Sequence, residues 1–318
     1  MRNIDRNWHM QQLRELVEKL NEFDSNYDLK GVDGVILNAT KHQSNSKFGI
    51  VIIPALGVPR EAYYKLMDDF SAHNVMVYDS RGQSFSEGEF DFGNSVIEVN
   101  RVGKQFKEAH DLEKLVGVGF SYGANCLLEA SKDKGEGNHP YDMRFAFAPV
   151  VDVADILKFI PKWFVGVFLE NKRRAKAKPE VYASEIAEHY LPISLADYCI
   201  ETPRLLALNM KNPKRVREEL AKIPNLLDSL PYIQQRNTWL LYAGKDSTLG
   251  IKDELRGSYL VLKDMCRKRG IPLEVFKNHS HRFNHISECD VDSLVVSYNT
   301  KLAPHYVLGN MMASELTR

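Results

Sequence analysis

The residues in this chain whose types and spacing could do chemistry begin with Gly119-Phe120-Ser121-Tyr122-Gly123, a G-x-S-x-G pattern. Ahead of it runs Leu115-Val116-Gly117-Val118, apolar and partly β-branched, as a buried strand should be. Behind it runs Ala124 to Ala130, a good helical sequence. Strand, sharp turn and helix in that order hold a serine hydroxyl above the end of a sheet. The two glycines are needed because a Cβ at either position would crowd the crossing of strand and helix. The plain alternative is a glycine-rich turn with an idle serine.

A serine hydroxyl is a poor nucleophile near neutral pH. It needs a histidine to take its proton and a carboxylate to orient that histidine. For a serine on a strand-to-helix turn, the partners follow in the order acid, then histidine. Asp246 follows Leu240-Leu241-Tyr242-Ala243-Gly244-Lys245, just beyond an apolar strand, and is the expected acid. His281 follows the last strand in Phe276-Lys277-Asn278-His279-Ser280-His281 and is the expected base. Each has rivals. Gly-Lys-Asp-Ser is also ordinary turn chemistry. Asp152, past the preceding strand, is the second candidate acid, and His279 and His285 compete with His281. His73, His110 and His189 fall on polar turns or helices and read as surface residues. An oxyanion formed at Ser121 would need two backbone donors. The amide of Tyr122 is one. The amide of Leu56, in the loop Pro54-Ala55-Leu56-Gly57 after an earlier strand, is the other. A simple turn of small residues would look the same.

Positioning these groups requires a sheet. Short apolar runs predict strands at 34–39, 48–53, 75–78, 115–118, 143–148, 238–242 and 272–276. Between them, helices are expected at 61–70, 95–110, 124–130 and 252–269, with Gly270 as a stop, and a last one at 290–301. Trp8, Leu13, Leu16, Val17 and Leu20 fall near helical spacing, so 8–23 reads as an amphipathic helix laid on the core. Strands alternating with helices imply an α/β protein: a mostly parallel central sheet with helices on both faces. Sites on such sheets lie at the carboxyl ends of strands, where Ser121 falls. Alternation stops over 151–236, which is mostly helical in pattern and reads as a helical cap inserted over that edge. The expected organisation is an N-terminal helical extension over 1–30, a core over 31–150 and 237–303, the cap over 151–236, and a tail over 304–318.

Composition sets the outer limits. Forty-two basic and 42 acidic residues among 318 leave no net charge, which gives no support to a nucleic-acid partner. Cys126, Cys199, Cys266 and Cys289 are scattered, without a C-x-x-C, and read as reduced thiols of a cytoplasmic protein. The first residues are polar and lead into no apolar run, so no secretory leader and no membrane insertion are expected. Nothing calls for a metal or an organic cofactor.

Taken together, Ile50 to Gly57, Asp79-Ser80-Arg81-Gly82-Gln83-Ser84, Gly119 to Gly123, Gly244-Lys245-Asp246 and His281-Arg282-Phe283 resemble the α/β-hydrolase fold family over about residues 31 to 303. The second piece is similar to the family's D-x-R-G-x-G-x-S turn, without its second glycine. The first is similar to its H-G-x-x loop, with Pro54-Ala55 in place of His-Gly. Asn278 stands where the usual glycine precedes the histidine. The layout is most similar to the lysophospholipase and serine-aminopeptidase branch and to the bacterial luminescence acyl-transferase. The resemblance implies the fold and a serine nucleophile. It leaves open an ester or thioester hydrolase, an acyltransferase between carriers or onto an acceptor, or a binding protein on a hydrolase fold.

Ile156 to Leu169 is the most apolar part of the insertion. Phe159, Trp163, Phe164 and Phe168 in it are candidate substrate contacts lining an acyl pocket. Lys172-Arg173-Arg174-Ala175-Lys176-Ala177-Lys178 follows. It is either a solvated basic turn or a rim for a phosphate-bearing partner such as a coenzyme A thioester or an acyl carrier protein.

Overall fold

The computed structural model of the protein describes residues 23–58, 60–132, 139–154, 169, 210–233, 237–244 and 257–276. Their eight strands are β1 (Asp24–Lys30), β2 (Ile36–His42), β3 (Phe48–Ile53), β4 (Asn74–Tyr78), β5 (Lys114–Phe120), β6 (Met143–Phe147), β7 (Thr238–Ala243) and β8 (Leu273–Phe276). They form one sheet in the order β1-β2-β4-β3-β5-β6-β7-β8. β1 and β2 are antiparallel, β2 is antiparallel to β4, and every pair from β4 to β8 is parallel. Strands β3, β4, β6 and β7 are buried at every residue and, apart from Asn74, Arg144 and Thr238, carry only apolar or aromatic side chains, as strands covered on both faces require.

The helices are α1 (Tyr64–Asp69), α2 (Phe92–Ala109), α3 (Tyr122–Ala130), α4 (Pro213–Leu220), α5 (Leu226–Ser229) and α6 (Ser258–Arg269). α2 starts where the Asp91 side chain accepts the Asn94 N–H, three residues before the start its periodicity suggests. α6 ends at Gly270, whose φ of 69° makes it the left-handed stop expected there.

Two boundaries differ from the sequence reading. Residues 24–30, expected within a helical extension, are an edge strand of the sheet. Their composition hides this: Asp24, Asp28 and Lys30 are polar and exposed, as edges require, and Leu29 is the buried anchor. The end of the 151–236 insertion belongs to the core. Val216, Leu220, Ile223, Leu226, Leu230 and Ile233 are all buried in the main cluster. The Leu226 N–H reaches Val151 O at 2.8 Å, and Glu219 accepts the Phe92 N–H at 3.2 Å. The amphipathic stripes of α4 and α5 are therefore spent on packing. Phe159, Trp163, Phe164 and Phe168, the basic run 172–178, the helix expected at 8–23 up to its last residue, the helix expected at 290–301, and the tail lie outside the described residues.

The turn after β4 is fixed by two buried ion pairs. Asp79 accepts from the Arg60 backbone N–H at 2.9 Å and from Arg60 Nη1 at 3.0 Å, so it pulls the start of the segment before α1 onto the end of β4. Arg81 donates to Glu98 Oε1 of α2 through Nε at 3.0 Å and Nη2 at 2.7 Å. Burial pushes the Glu98 carboxyl upward despite the facing guanidinium. Arg81→Met should therefore cost about 3–5 kcal/mol at neutral pH, because it leaves an unpaired buried carboxylate. An acid whose folded-state pKa is raised holds its proton more tightly when folded. Its contribution is fully present below the ordinary glutamate value and is lost as pH rises through the folded value. The gap between the urea midpoints of variant and wild type should accordingly narrow as pH falls from neutral toward the ordinary glutamate value; a pH-independent gap would show that Glu98 is not the cause.

Candidate active site

The parallel strands place all their carboxyl ends along one edge. The chain leaves β3 to build β4 on one side and then crosses back to build β5 on the other. Such a reversal opens a crevice between the two neighbouring strand ends, the place where ligands bind on open α/β sheets. Here the crevice is flanked by the loop after β3, which carries Leu56, and the turn after β5, which carries Ser121.

Ser121 has φ 50° and ψ −115°, a conformation that non-glycine residues adopt at a cost of about 1–3 kcal/mol. Its N–H donates to Phe147 O of the neighbouring strand at 2.7 Å and its C=O accepts from Asn125 N of α3 at 3.1 Å, so the strained residue is bonded on both sides. The flanking glycines are required sterically. A Cβ at Gly123 would lie 2.4 Å from the carbonyl oxygens of both Ile53 and Pro54, and one at Gly119 would lie 2.7 Å from Ala124 Cα. The start of α3 is thereby held directly against the end of β3. Tyr122, the first residue of α3, is buried and packs on Phe90 and Phe92 at 5.1 and 6.1 Å between ring centres.

The loop after β3 forms a turn closed by Val58 N–H on Ala55 O at 3.1 Å, with Gly57 at φ 68°. Its amides are tied down one by one. The Ala55 N–H donates to the Tyr63 hydroxyl at 2.8 Å, and the Gly57 N–H donates to Gln83 Oε1 at 2.7 Å. The Leu56 N–H between them has no partner among the described residues, nor has the Tyr122 N–H or the Ser121 hydroxyl. A free hydroxyl on a strained turn and two free amides on the facing segments can accept an attacked carbonyl: one bonds carbon, the others its oxygen.

The chain resembles solved structures of esterases and of an alpha/beta hydrolase. An esterase from Pyrococcus furiosus aligns with a TM-score of 0.55 at 17% identity, over 83% of this chain and 84% of that one. An esterase from Exiguobacterium antarcticum aligns with a TM-score of 0.55 at 14% identity, over 92% and 100% of the two chains. An alpha/beta hydrolase from a Penicillium species also gives 0.55 at 14% identity, over 92% and 96%. The chain has the α/β-hydrolase fold. At such identities the likeness speaks for the fold. Neither the protein-family models nor the curated proteins compared with the sequence gave a match.

Within this hydrolase fold, the strands preceding the expected acid and base end at the same edge as Ser121. β7 ends at Ala243, and the Gly244 N–H bonds Phe276 O at the end of β8 at 2.8 Å. Asp246 lies two residues past Gly244 and His281 five past Phe276; both lie outside the described residues, as do His279 and His285. The rival acid is described. Asp152 Oδ1 accepts the Ala154 N–H at 2.8 Å and Oδ2 accepts from Asn225 Nδ2 at 3.4 Å, a turn-forming arrangement. The described histidines, His42, His73, His110 and His139, all lie at the opposite edge: before β4, β5 or β6, or paired with the start of β4. His73 and His110 are half-buried against Phe48 and Phe106, more enclosed than the surface placement read from sequence, and burial lowers both pKa values. Among the described residues no cluster of His, Cys, Asp or Glu could hold a metal, and no helix is long and apolar enough to cross a membrane. Cys126 and Cys266 are free and buried, with the Cys266 thiol pushed up to about 12.

Sequence reasoning missed Tyr63, Gln83 and Arg60, whose roles depend on contacts across 8, 26 and 19 positions. Only Gln83 carried a signal, as part of the D-x-R-G-like turn. Asp152→Asn, which keeps an acceptor for Ala154, should retain kcat/KM within about threefold for any ester substrate, whereas loss of a triad acid costs far more. A drop of several orders of magnitude in steady-state turnover would make Asp152 the acid.

Proposed function

We propose that this protein is a serine hydrolase that cleaves a carboxylic ester or acyl thioester through an acyl-serine intermediate. The observation that carries the reading is Ser121 itself: a strained, half-buried serine at the sheet's carboxyl edge, its hydroxyl and the Leu56 amide of the facing segment both without a partner among the described residues. The esterase names of the structural neighbours point to the same reaction class.

In this reading Ser121 Oγ bonds the acyl carbon while its proton passes to His281. Asp246 holds the imidazole in the accepting tautomer and stabilises its charged form. The amides of Leu56 and Tyr122 bond the oxyanion. The carbon–oxygen or carbon–sulfur bond then breaks, and His281 protonates the departing alkoxide or thiolate. Water repeats the sequence: its proton goes to His281, its oxygen to the acyl carbon, and Ser121 regains its hydrogen. An alcohol or amine in place of water would make the same site an acyltransferase.

Incubation with p-nitrophenyl butyrate and with butyryl thioesters should add one acyl mass to the intact protein, and Ser121→Ala should remove both adduct and turnover, a loss reaching ~10⁶ in rate for a triad nucleophile. An active alanine variant would refute the mechanism. Acylated product appearing only when an acceptor alcohol or amine is added would favour the transferase.

The apolar run Ile156 to Leu169 gives the acyl side its expected character. We propose that Phe159, Trp163, Phe164 and Phe168 contact the acyl chain, with the basic run 172–178 available to a phosphate-bearing thioester carrier. Each buried methylene contributes about 0.8 kcal/mol, so kcat/KM should rise from p-nitrophenyl acetate to the octanoate by roughly 10-fold or more; a preference for acetate would sink the long-chain reading alone.

A further inference from the structure

The loop after β3 offers the site a single amide, and the reason is visible in its bonds. The peptide between Ala55 and Leu56 carries that N–H on one side and Ala55 O on the other. Ala55 O is held by Val58 N–H at 3.1 Å. The preceding peptide is held through the Ala55 N–H by the Tyr63 hydroxyl at 2.8 Å, and the following one through the Gly57 N–H by Gln83 Oε1 at 2.7 Å. A peptide between two anchored neighbours cannot turn its N–H away without breaking one of the anchors.

Gln83 is an expensive way to fill this space. It is 2% exposed, and its Nε2 has no partner among the described residues. A buried carboxamide with half its hydrogen bonding unmet is disfavoured against an apolar side chain of similar shape. Its one side-chain bond goes to Gly57. Its backbone is fixed as well: the Gln83 N–H reaches Ser80 O and its C=O accepts from Ser86 N, both at 3.0 Å, and it bridges to Met210. Tyr63 is anchored separately, its ring 5.1 Å from that of Phe120, the residue before Ser121. One anchor thus reaches the turn from β4 and the other from the segment leading into α1.

We propose that Gln83 and Tyr63 are positioning residues that lock the 55–58 turn so that the Leu56 N–H faces the oxyanion; this rests on the serine-hydrolase reading above. They contact the turn and leave the substrate to Ser121, Leu56 and Tyr122. The anchors act on a group that bonds the tetrahedral adduct, so their loss should register in the adduct more than in substrate binding.

The test is steady-state kinetics of the full chain on p-nitrophenyl butyrate, with octylboronic acid as a mimic of the tetrahedral adduct. Gln83→Met and Tyr63→Phe should each lower kcat about 10- to 100-fold with KM within about threefold, below the loss expected for deleting an oxyanion donor outright. The inhibition constant for the boronic acid should rise by a similar factor, while intact mass still shows the acyl adduct at Ser121. The double variant should lose less than the product of the two factors, because both anchors hold one turn. Unchanged kcat and boronate inhibition in folded variants, or a rise in KM alone, would overturn the proposal and leave the serine mechanism intact. If Gln83→Met does not fold by circular dichroism, Tyr63→Phe decides by the same criteria. Activity surviving in Ser121→Ala would instead overturn the reading on which the proposal stands.

Discussion

The site depends on how closely α3 begins against the end of β3. With no side chain at Gly119 or Gly123, the Gly123 Cα comes within reach of the Ile53 and Pro54 carbonyls, and that contact sets the distance between two segments otherwise far apart in sequence. It forces Ser121 into its positive-φ conformation, and it brings the first amides of α3 alongside the loop that carries Leu56. A chain unable to make this approach would have a serine and a loop at one edge of a sheet, but no crevice with donors on both sides. The constraint is steric before it is chemical, which is why the pattern can be seen in glycines.

A contact this close needs a rigid surround, and the surround is built from buried charge. Asp79 with Arg60 and Arg81 with Glu98 fasten the turn after β4 to the segment before α1 and to α2. Buried pairs of this kind add little net stability, because desolvation offsets most of the attraction. Their geometry is another matter: bonds from backbone N–H, Nε and Nη atoms to a carboxylate fix orientation in a way that apolar packing does not. The same turn presents Gln83 to Gly57. Ser84 in that turn has a φ of 44°, a conformation that glycine would take more easily.

What could be read from the sequence follows from the range of the physics. Strand alternation, the G-x-S-x-G turn and the Gly270 stop are local, and β3 to β8 fall within a residue or two of the runs that predicted them. The places of Leu56 and Tyr122, after β3 and at the first turn of α3, were legible because they follow from those local runs. β1 was not, since an edge strand that must resist aggregation looks like a polar loop. The packing of α4 and α5 was not, since an amphipathic stripe does not say what it packs on. Tyr63 and Arg60 were not, and Gln83 only through its motif, for a third reason: their roles are hydrogen bonds to residues 8, 19 and 26 positions away.

A binding protein on this fold would need the crevice but not the strain. Holding Ser121 at φ 50° costs free energy, and so does leaving the Leu56 and Tyr122 amides without a partner among the described residues. In a site serving only to bind a ligand, a glycine at position 121 would relieve the first cost, and nothing would require the donors to sit on opposite sides of a hydroxyl. Departures from local optima that converge on one point are what an active site leaves in a structure. Here the departures meet at Ser121 and the loop facing it, where the proposed reaction would hold an acyl carbonyl. That convergence favours chemistry over binding, independently of any likeness to other hydrolases.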